Sequence, residues 1–200
     1  VRGVKNLARR YIKYIKKVKP SGPYILGGWS FGAVVAYEMA VLLEKAGEKV
    51  ENLYLLDPII EHPEKEKELT RKLMETSFFQ AYLNNDPLFG RFKKLGFMDK
   101  LIENNKNVLE DMFAYKPGKY GGKVTLFKAV RLEAVPGDVD KALALRKFQI
   151  MHRDKPDNGF GKYVKRLKTV RINAVHNYLM RGNALEVIAS EITGKSKKKK

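Results

Sequence analysis

The sequence predicts a layered α/β fold, a mostly parallel sheet flanked by helices, and three observations carry that expectation. Helical and strand patterns alternate through the first 56 residues, the strand segments are short apolar runs rather than polar–apolar alternations, and the connections are too long for hairpins. Continuous apolar strands are the mark of sheets covered on both faces, which parallel sheets require.

Val4 to Val18 places Val4, Leu7, Ala8, Tyr11, Ile12, Ile15 and Val18 at three-and-four spacing with Lys and Arg between them, the pattern of an amphipathic helix. Pro20-Ser21-Gly22-Pro23 ends it, and Tyr24-Ile25-Leu26 follows as a buried strand bounded by glycines. From Phe31 to Ala46, Ala33, Val34, Ala36, Tyr37, Ala40, Val41 and Leu43 recur with helical spacing, and Gly47 supplies a C-cap. Val50 to Leu56 is a second apolar strand, closed by Asp57-Pro58. From Glu61 to Tyr115 the sequence turns polar and helical around an aromatic cluster that includes Phe78, Phe79 and Tyr82, as expected of an inserted lid. Strand character returns at Lys123 to Val130 and at Thr169 to Ile172, and a last helix runs from about Ala184 to Ile192.

Composition narrows the chemistry. The 200 residues contain no cysteine, so disulfides, thiolate catalysis and cysteine-based zinc sites are excluded. No apolar stretch approaches the roughly 20 residues of a membrane span, and no signal-peptide pattern is present, so the expectation is a cytoplasmic protein without a membrane partner. A net charge of +18 raises the question of a nucleic-acid partner. The basic residues are interleaved with acidic ones, as in Glu64-Lys65-Glu66-Lys67-Glu68, and form no nucleic-acid module, so a solvated surface is expected instead. The low-complexity run Lys195 to Lys200 is expected to be a disordered basic tail.

Gly28-Trp29-Ser30-Phe31-Gly32 matches the pattern G-x-S-x-G, with a strand before it and a helix after. Such a turn lifts the serine hydroxyl above the sheet, while the glycines leave room for the neighbouring backbone. The helix N-terminus behind Ser30 favours developing negative charge, and the Phe31 amide is one expected oxyanion donor. A serine becomes nucleophilic when a histidine takes its proton and a carboxylate holds that histidine. Of the three histidines, His176 follows the last strand, where the chain order serine, acid, histidine puts the base; His62 and His152 are expected to be exposed loop residues. Asp57 stands at the C-terminal end of the strand after the nucleophile's helix, on the edge where active groups of open α/β sheets gather. The loop after the next strand, with Glu133, Asp138 and Asp140, is the competing location for the acid.

The run Gly22-Pro23-Tyr24-Ile25-Leu26-Gly27-Gly28-Trp29-Ser30-Phe31-Gly32, continuing into Ala36-Tyr37-Glu38-Met39-Ala40, resembles the type I thioesterase domain of polyketide, non-ribosomal peptide and fatty acid synthases. Leu55-Leu56-Asp57-Pro58, Val124 to Ala129 and Val175-His176-Asn177-Tyr178-Leu179-Met180 resemble its later strands and its histidine segment. The resemblance implies an α/β-hydrolase domain over residues 1–194 with a helical lid at about 61–116, and a Ser30, Asp57, His176 triad. It further implies release of an acyl, polyketide or peptidyl chain from the phosphopantetheine arm of a carrier protein, with no cofactor of the domain's own. Trp29, Phe78, Phe79 and Tyr82 are the expected substrate contacts. The family's first strands and its second oxyanion donor are expected to lie outside this sequence, and Gly159-Phe160-Gly161 stands where the family more often has Gly-Trp. A free-standing editing thioesterase, a serine esterase and a catalytically incomplete carrier-binding module remain open alternatives.

Overall fold

Apolar positions that alternate along β-strands must face two different layers, and the two layers are where the core divides. The computed structural model describes residues 2–74, 98–132 and 154–194. In chain order the described elements are α1 (Val4–Val18), β1 (Tyr24–Trp29), α2 (Phe31–Lys45), β2 (Val50–Leu56), α3 (Glu64–Met74), α4 (Met98–Phe113), β3 (Tyr120–Ala129), β4 (Val164–Ile172) and α5 (Gly182–Thr193). The four strands form one sheet in the order β1-β2-β3-β4, all neighbours parallel.

Leu53 and Leu55 point into a core shared with Leu26, Tyr120, Val124, Leu126 and Val164 and covered by α2, with α1 packed outside it. Their neighbours Tyr54 and Leu56 face a second cluster with Phe127, Ile172, Leu179 and Ile188, the last of these from α5. This period-two division is what parallel strands between helical layers demand. Lying between α1 and the sheet, α2 is buried on almost every side, from Ala33 through Leu43, rather than along one stripe. Each fully buried Val or Leu there contributes roughly 1.5–3 kcal/mol.

Two strands begin earlier than the pattern of the sequence suggests. β3 starts at Tyr120 rather than Lys123, and β4 at Val164 rather than Thr169. The register between them shifts from Tyr120↔Val164 to Lys123↔Arg166, and among the described strands β4 stands at the edge, carrying Lys165, Arg166 and Lys168. A solvated edge accepts charged residues, so the apolar run that betrays a central strand is missing there. The helical character expected between Glu61 and Tyr115 is present in α3 and α4; Phe78, Phe79 and Tyr82 lie outside the described residues, as does the tail 195–200. Among the described residues no helix is long and apolar enough to cross a membrane.

Tyr37 anchors the inner layer. Its hydroxyl donates to the Gly118 carbonyl at 2.7 Å, and its ring meets Phe160 and Tyr120 edge-on at 5.3 and 6.2 Å between centroids. Burial, reinforced by the Glu44 carboxylate, pushes the Tyr120 phenol up to about 12 from 10.0. The unfolded phenol ionises first, so this contribution to stability is complete below pH 10 and is lost as pH rises through about 12. The midpoint of urea unfolding is expected to fall across that window, and less steeply in Tyr120→Phe. Identical slopes in the two proteins would remove Tyr120 from the account.

Candidate active site

The four strands end toward the same edge of the sheet, and main-chain hydrogen bonds continue one or two residues beyond them. The Ser30 amide donates to the Leu56 carbonyl at 2.9 Å, and the Asp57 amide donates to the Phe127 carbonyl at 2.8 Å. Beyond β3 and β4, the Val130 amide donates to Ile172 and the Arg131 amide to Ala174, both at 3.0 Å. Residues far apart in sequence are thereby tied to one rim.

Ser30 has φ 54° and ψ −125°, and its carbonyl accepts from the amides of Ala33 at 3.0 Å and Val34 at 3.4 Å. It therefore ends a strand and starts a helix in one step, in a conformation costing about 1–3 kcal/mol for a residue with a side chain. A Cβ on Gly28 would stand 2.5 Å from the Gly32 carbonyl group, so this glycine is required by close backbone approach. A Cβ on Gly32 would meet nothing within 4 Å among the described residues, so the two glycines of the pattern are not equivalent here. Phe31 opens α2, and its amide lies ahead of the first i→i−4 hydrogen bond of the helix, the one from Val34 to Ser30.

Asp57 also has a positive φ, 49°, a conformation aspartate tolerates better than most residues. Its Oδ1 accepts from the Ala129 amide at 3.2 Å and from Asn158 Nδ2 at 3.0 Å, and its Oδ2 lies 2.9 Å from His176 Nδ1. His176 begins a short 3₁₀ turn, His176–Tyr178, after β4. Its side chain is 34% exposed against 14% for Asp57, so the carboxylate is shielded while the ring keeps an open side. Because an ionised carboxylate only accepts, Nδ1 is the protonated nitrogen and Nε2 is left as an acceptor. The Trp29 ring stacks on His176 with centroids 5.1 Å apart and planes 29° from parallel. Trp29 thus packs behind the imidazole, and its buried Nε1 has no hydrogen-bond partner among the described residues.

Asp57, His176 and Trp29 accordingly contact one another at the rim where Ser30 and Phe31 follow β1. His62 departs from the exposed loop position expected of it: its side chain is 7% exposed, Nδ1 lies 3.2 Å from Oε1 of the buried Glu66, and its ring packs against Phe113. A loop beside Pro63 reads as solvent-facing, but α3 folds the Glu66 carboxylate back over it. His152, Glu133, Asp138 and Asp140 lie outside the described residues. Asn158 and Lys128 were not legible as site residues. Asn158 precedes Gly159 and Lys128 falls within the strand expected at Lys123 to Val130, neither with a motif of its own, yet each is 1% exposed. Among the described residues no group of three or more His, Asp or Glu is arranged to hold a metal ion.

A parallel sheet between helical layers, with a serine in a strained strand-to-helix turn and an Asp–His pair on the same rim, defines the α/β-hydrolase class. The family model described as Thioesterase domain matches residues 1–119, and the chain belongs to that family. Indigoidine synthase of Streptomyces lavendulae is 51% identical over 55 residues, which are 28% of this chain and 4% of the synthase. Non-reducing polyketide synthase PKS12 of Gibberella zeae is 49% identical over 55 residues, 28% of this chain and 3% of that protein. The chain therefore spans only a few per cent of the length of these relatives. Among solved structures, the NocB thioesterase domain in covalent complex with a fluorophosphonate nocardicin G analog superposes with TM-score 0.59 at 22% identity, over 97% of this chain and 75% of that one. The resemblance to type I thioesterase domains of polyketide and peptide synthases thus holds at the level of family and fold.

The backbone strain is measurable. Ser30→Gly, which adopts φ 54° without a Cβ penalty, is expected to raise stability by roughly 1 kcal/mol, whereas Ser30→Ala keeps the strain and changes it little. Thermal melts of the two variants check this, and equal melting temperatures would show that the turn stores no strain.

Proposed function

We propose that Ser30, His176 and Asp57 act as a nucleophile, base and acid triad, and that the domain releases an acyl, polyketide or peptidyl chain from a carrier-protein thioester. The observation that carries this reading is the 2.9 Å contact between Asp57 Oδ2 and His176 Nδ1 on the rim where Ser30 is held in its strained turn. Family membership supports thioester chemistry, and the relatives, named as synthases, support a carrier-borne substrate.

In the first half-reaction, His176 Nε2 takes the proton from Ser30 Oγ as the oxygen attacks the thioester carbonyl. The resulting oxyanion is met by the Phe31 amide at the positive end of α2. Asp57 fixes the tautomer of His176 and balances the imidazolium. The C–S bond then breaks, the imidazolium returns its proton to the leaving phosphopantetheine sulfur, and the acyl group stays on Ser30. In the second half-reaction His176 activates water, or an internal hydroxyl or amine of the chain, and Ser30 Oγ leaves with the proton. Hydrolysis and cyclisation share this machinery and differ in the second nucleophile. Trp29, Phe78, Phe79 and Tyr82 remain the proposed contacts for an apolar acyl chain, and the carrier domain is the proposed partner. The high net positive charge suits an acidic carrier and the phosphate of its arm.

A fluorophosphonate probe is expected to label Ser30 stoichiometrically, with Ser30→Ala unlabelled. Asp57→Asn and His176→Ala are expected to slow labelling about 10³–10⁴-fold, since each leaves the serine without an oriented base. His62→Ala, although it opens a buried contact, should leave the labelling rate within a few fold. Mass spectrometry of the labelled peptide reads the outcome, and retained labelling of Ser30→Ala would falsify the triad.

A further inference from the structure

The Asp57 carboxylate is held on its far side by a buried polar pair that the reaction as described does not use. Asn158 is 1% exposed, has φ 52°, and spends its whole side-chain amide on fixed partners. Its Nδ2 donates to Asp57 Oδ1 at 3.0 Å and to the Pro58 carbonyl at 2.8 Å, while its Oδ1 accepts from Lys128 Nζ. Its main chain is fixed as well, the carbonyl accepting from the Ile60 amide at 3.2 Å.

Amide orientation is set by chemistry here. An ammonium has three donors and no acceptor, so Lys128 must face the amide oxygen, and both Nδ2 hydrogens are thereby turned toward Asp57 and Pro58. Rotating the amide by half a turn would oppose two donors at Lys128 and two acceptors at Asp57. Lys128 is itself 1% exposed in β3, and burial pulls its pKa down while the Asp57 carboxylate acts in the opposite direction. A cation in so unfavourable a place, with the Asn158 oxygen as a direct acceptor, acts as a lock on the amide.

We propose that Asn158, oriented by Lys128, is a positioning residue that holds the Asp57 carboxylate in line with His176. The proposal rests on the triad reading. With Asn158 in place, Asp57 Oδ1 accepts two hydrogen bonds and Oδ2 is left to His176 Nδ1. Without it, Oδ1 keeps only the Ala129 amide, the carboxylate rotates, and the imidazole loses the partner that orients it.

The test compares Asn158→Gly, Asn158→Asp and Lys128→Met in the full chain, because glycine and aspartate both tolerate φ 52°. Readouts are the rate of fluorophosphonate labelling at Ser30 and the kcat and KM for an acyl thioester of N-acetylcysteamine. Asn158→Gly is expected to lower the labelling rate and kcat about 10- to 100-fold, the effect of losing a hydrogen bond to a charged group, with KM within about two-fold. Asn158→Asp, nearly isosteric, is expected to be at least as slow because it sets an acceptor against Asp57. Lys128→Met frees the amide to flip and is expected to cost roughly ten-fold. A purely structural role predicts the reverse order, with aspartate close to wild type and glycine worst, and that order overturns the proposal. If neither Asn158 variant folds, Lys128→Met decides, and a wild-type rate there overturns it. Loss of specific Ser30 labelling in the unmodified protein would instead defeat the triad reading, so the two failures are distinct.

Discussion

Parallel hydrogen-bonded register is the constraint on which the rest of this molecule depends. Trp29 pairs with Leu56 and Leu56 with Phe127, while Ala129 pairs with Ile172, so β1 and β2 end level with each other and β3 and β4 run two residues further toward the same rim. Parallel strands all present their C-terminal ends to the same rim, and each chain emerging there is free to turn. The ladder does not stop at the last strand residue; Ser30 and Asp57 are each bonded through the main chain to the strand beside them. Their side chains are consequently placed by the sheet rather than by a loop of its own choosing.

That placement is maintained against backbone cost. Ser30, Asp57 and Asn158 all have positive φ; Asp57 and Asn158 are hydrogen-bonded to each other, and the Ser30 amide is bonded to Leu56, the residue before Asp57. Such conformations persist when the surroundings over-determine them. Here the surroundings are α2, buried from Ala33 to Leu43, on one side of the sheet and the Phe127, Ile172 and Leu179 cluster on the other. Gly28 supplies the space in which β1 and α2 can approach so closely.

The polar interior is organised in the same way. Asp57, Asn158 and Lys128 form a chain of donors and acceptors beneath His176, and His62, Glu66 and Lys155 form another at the base of α3, with Lys155 Nζ 3.2 Å from Glu66 Oε2. Both chains tie the segment around 155–158 to residues some ninety or more positions earlier, so the turn before β4 is fixed to the segment after β2. A buried charge without such partners would be strongly destabilising, which is why these residues occur as sets.

The sequence by itself determined the layered fold, the boundaries of α1 and β2 and the start of α2, and it singled out Asp57 and His176, which the structure brings into contact, together with Ser30 at the end of β1. These were legible because their causes are local: apolar periodicity for the helices, apolar runs for central strands, and a glycine-flanked serine between a strand and a helix. Tertiary structure decided the rest. β4 begins at Val164 because β3 offers it a partner, a fact its lysines and arginine conceal. His62 is buried because α3 returns Glu66 to it, and Trp29 lies against His176 because β1 and the segment after β4 reach the same rim. Asn158 and Lys128 carry no local pattern that marks them as a buried pair behind Asp57. Burial and pairing of polar groups depend on which distant segments share a register, and no local pattern encodes that.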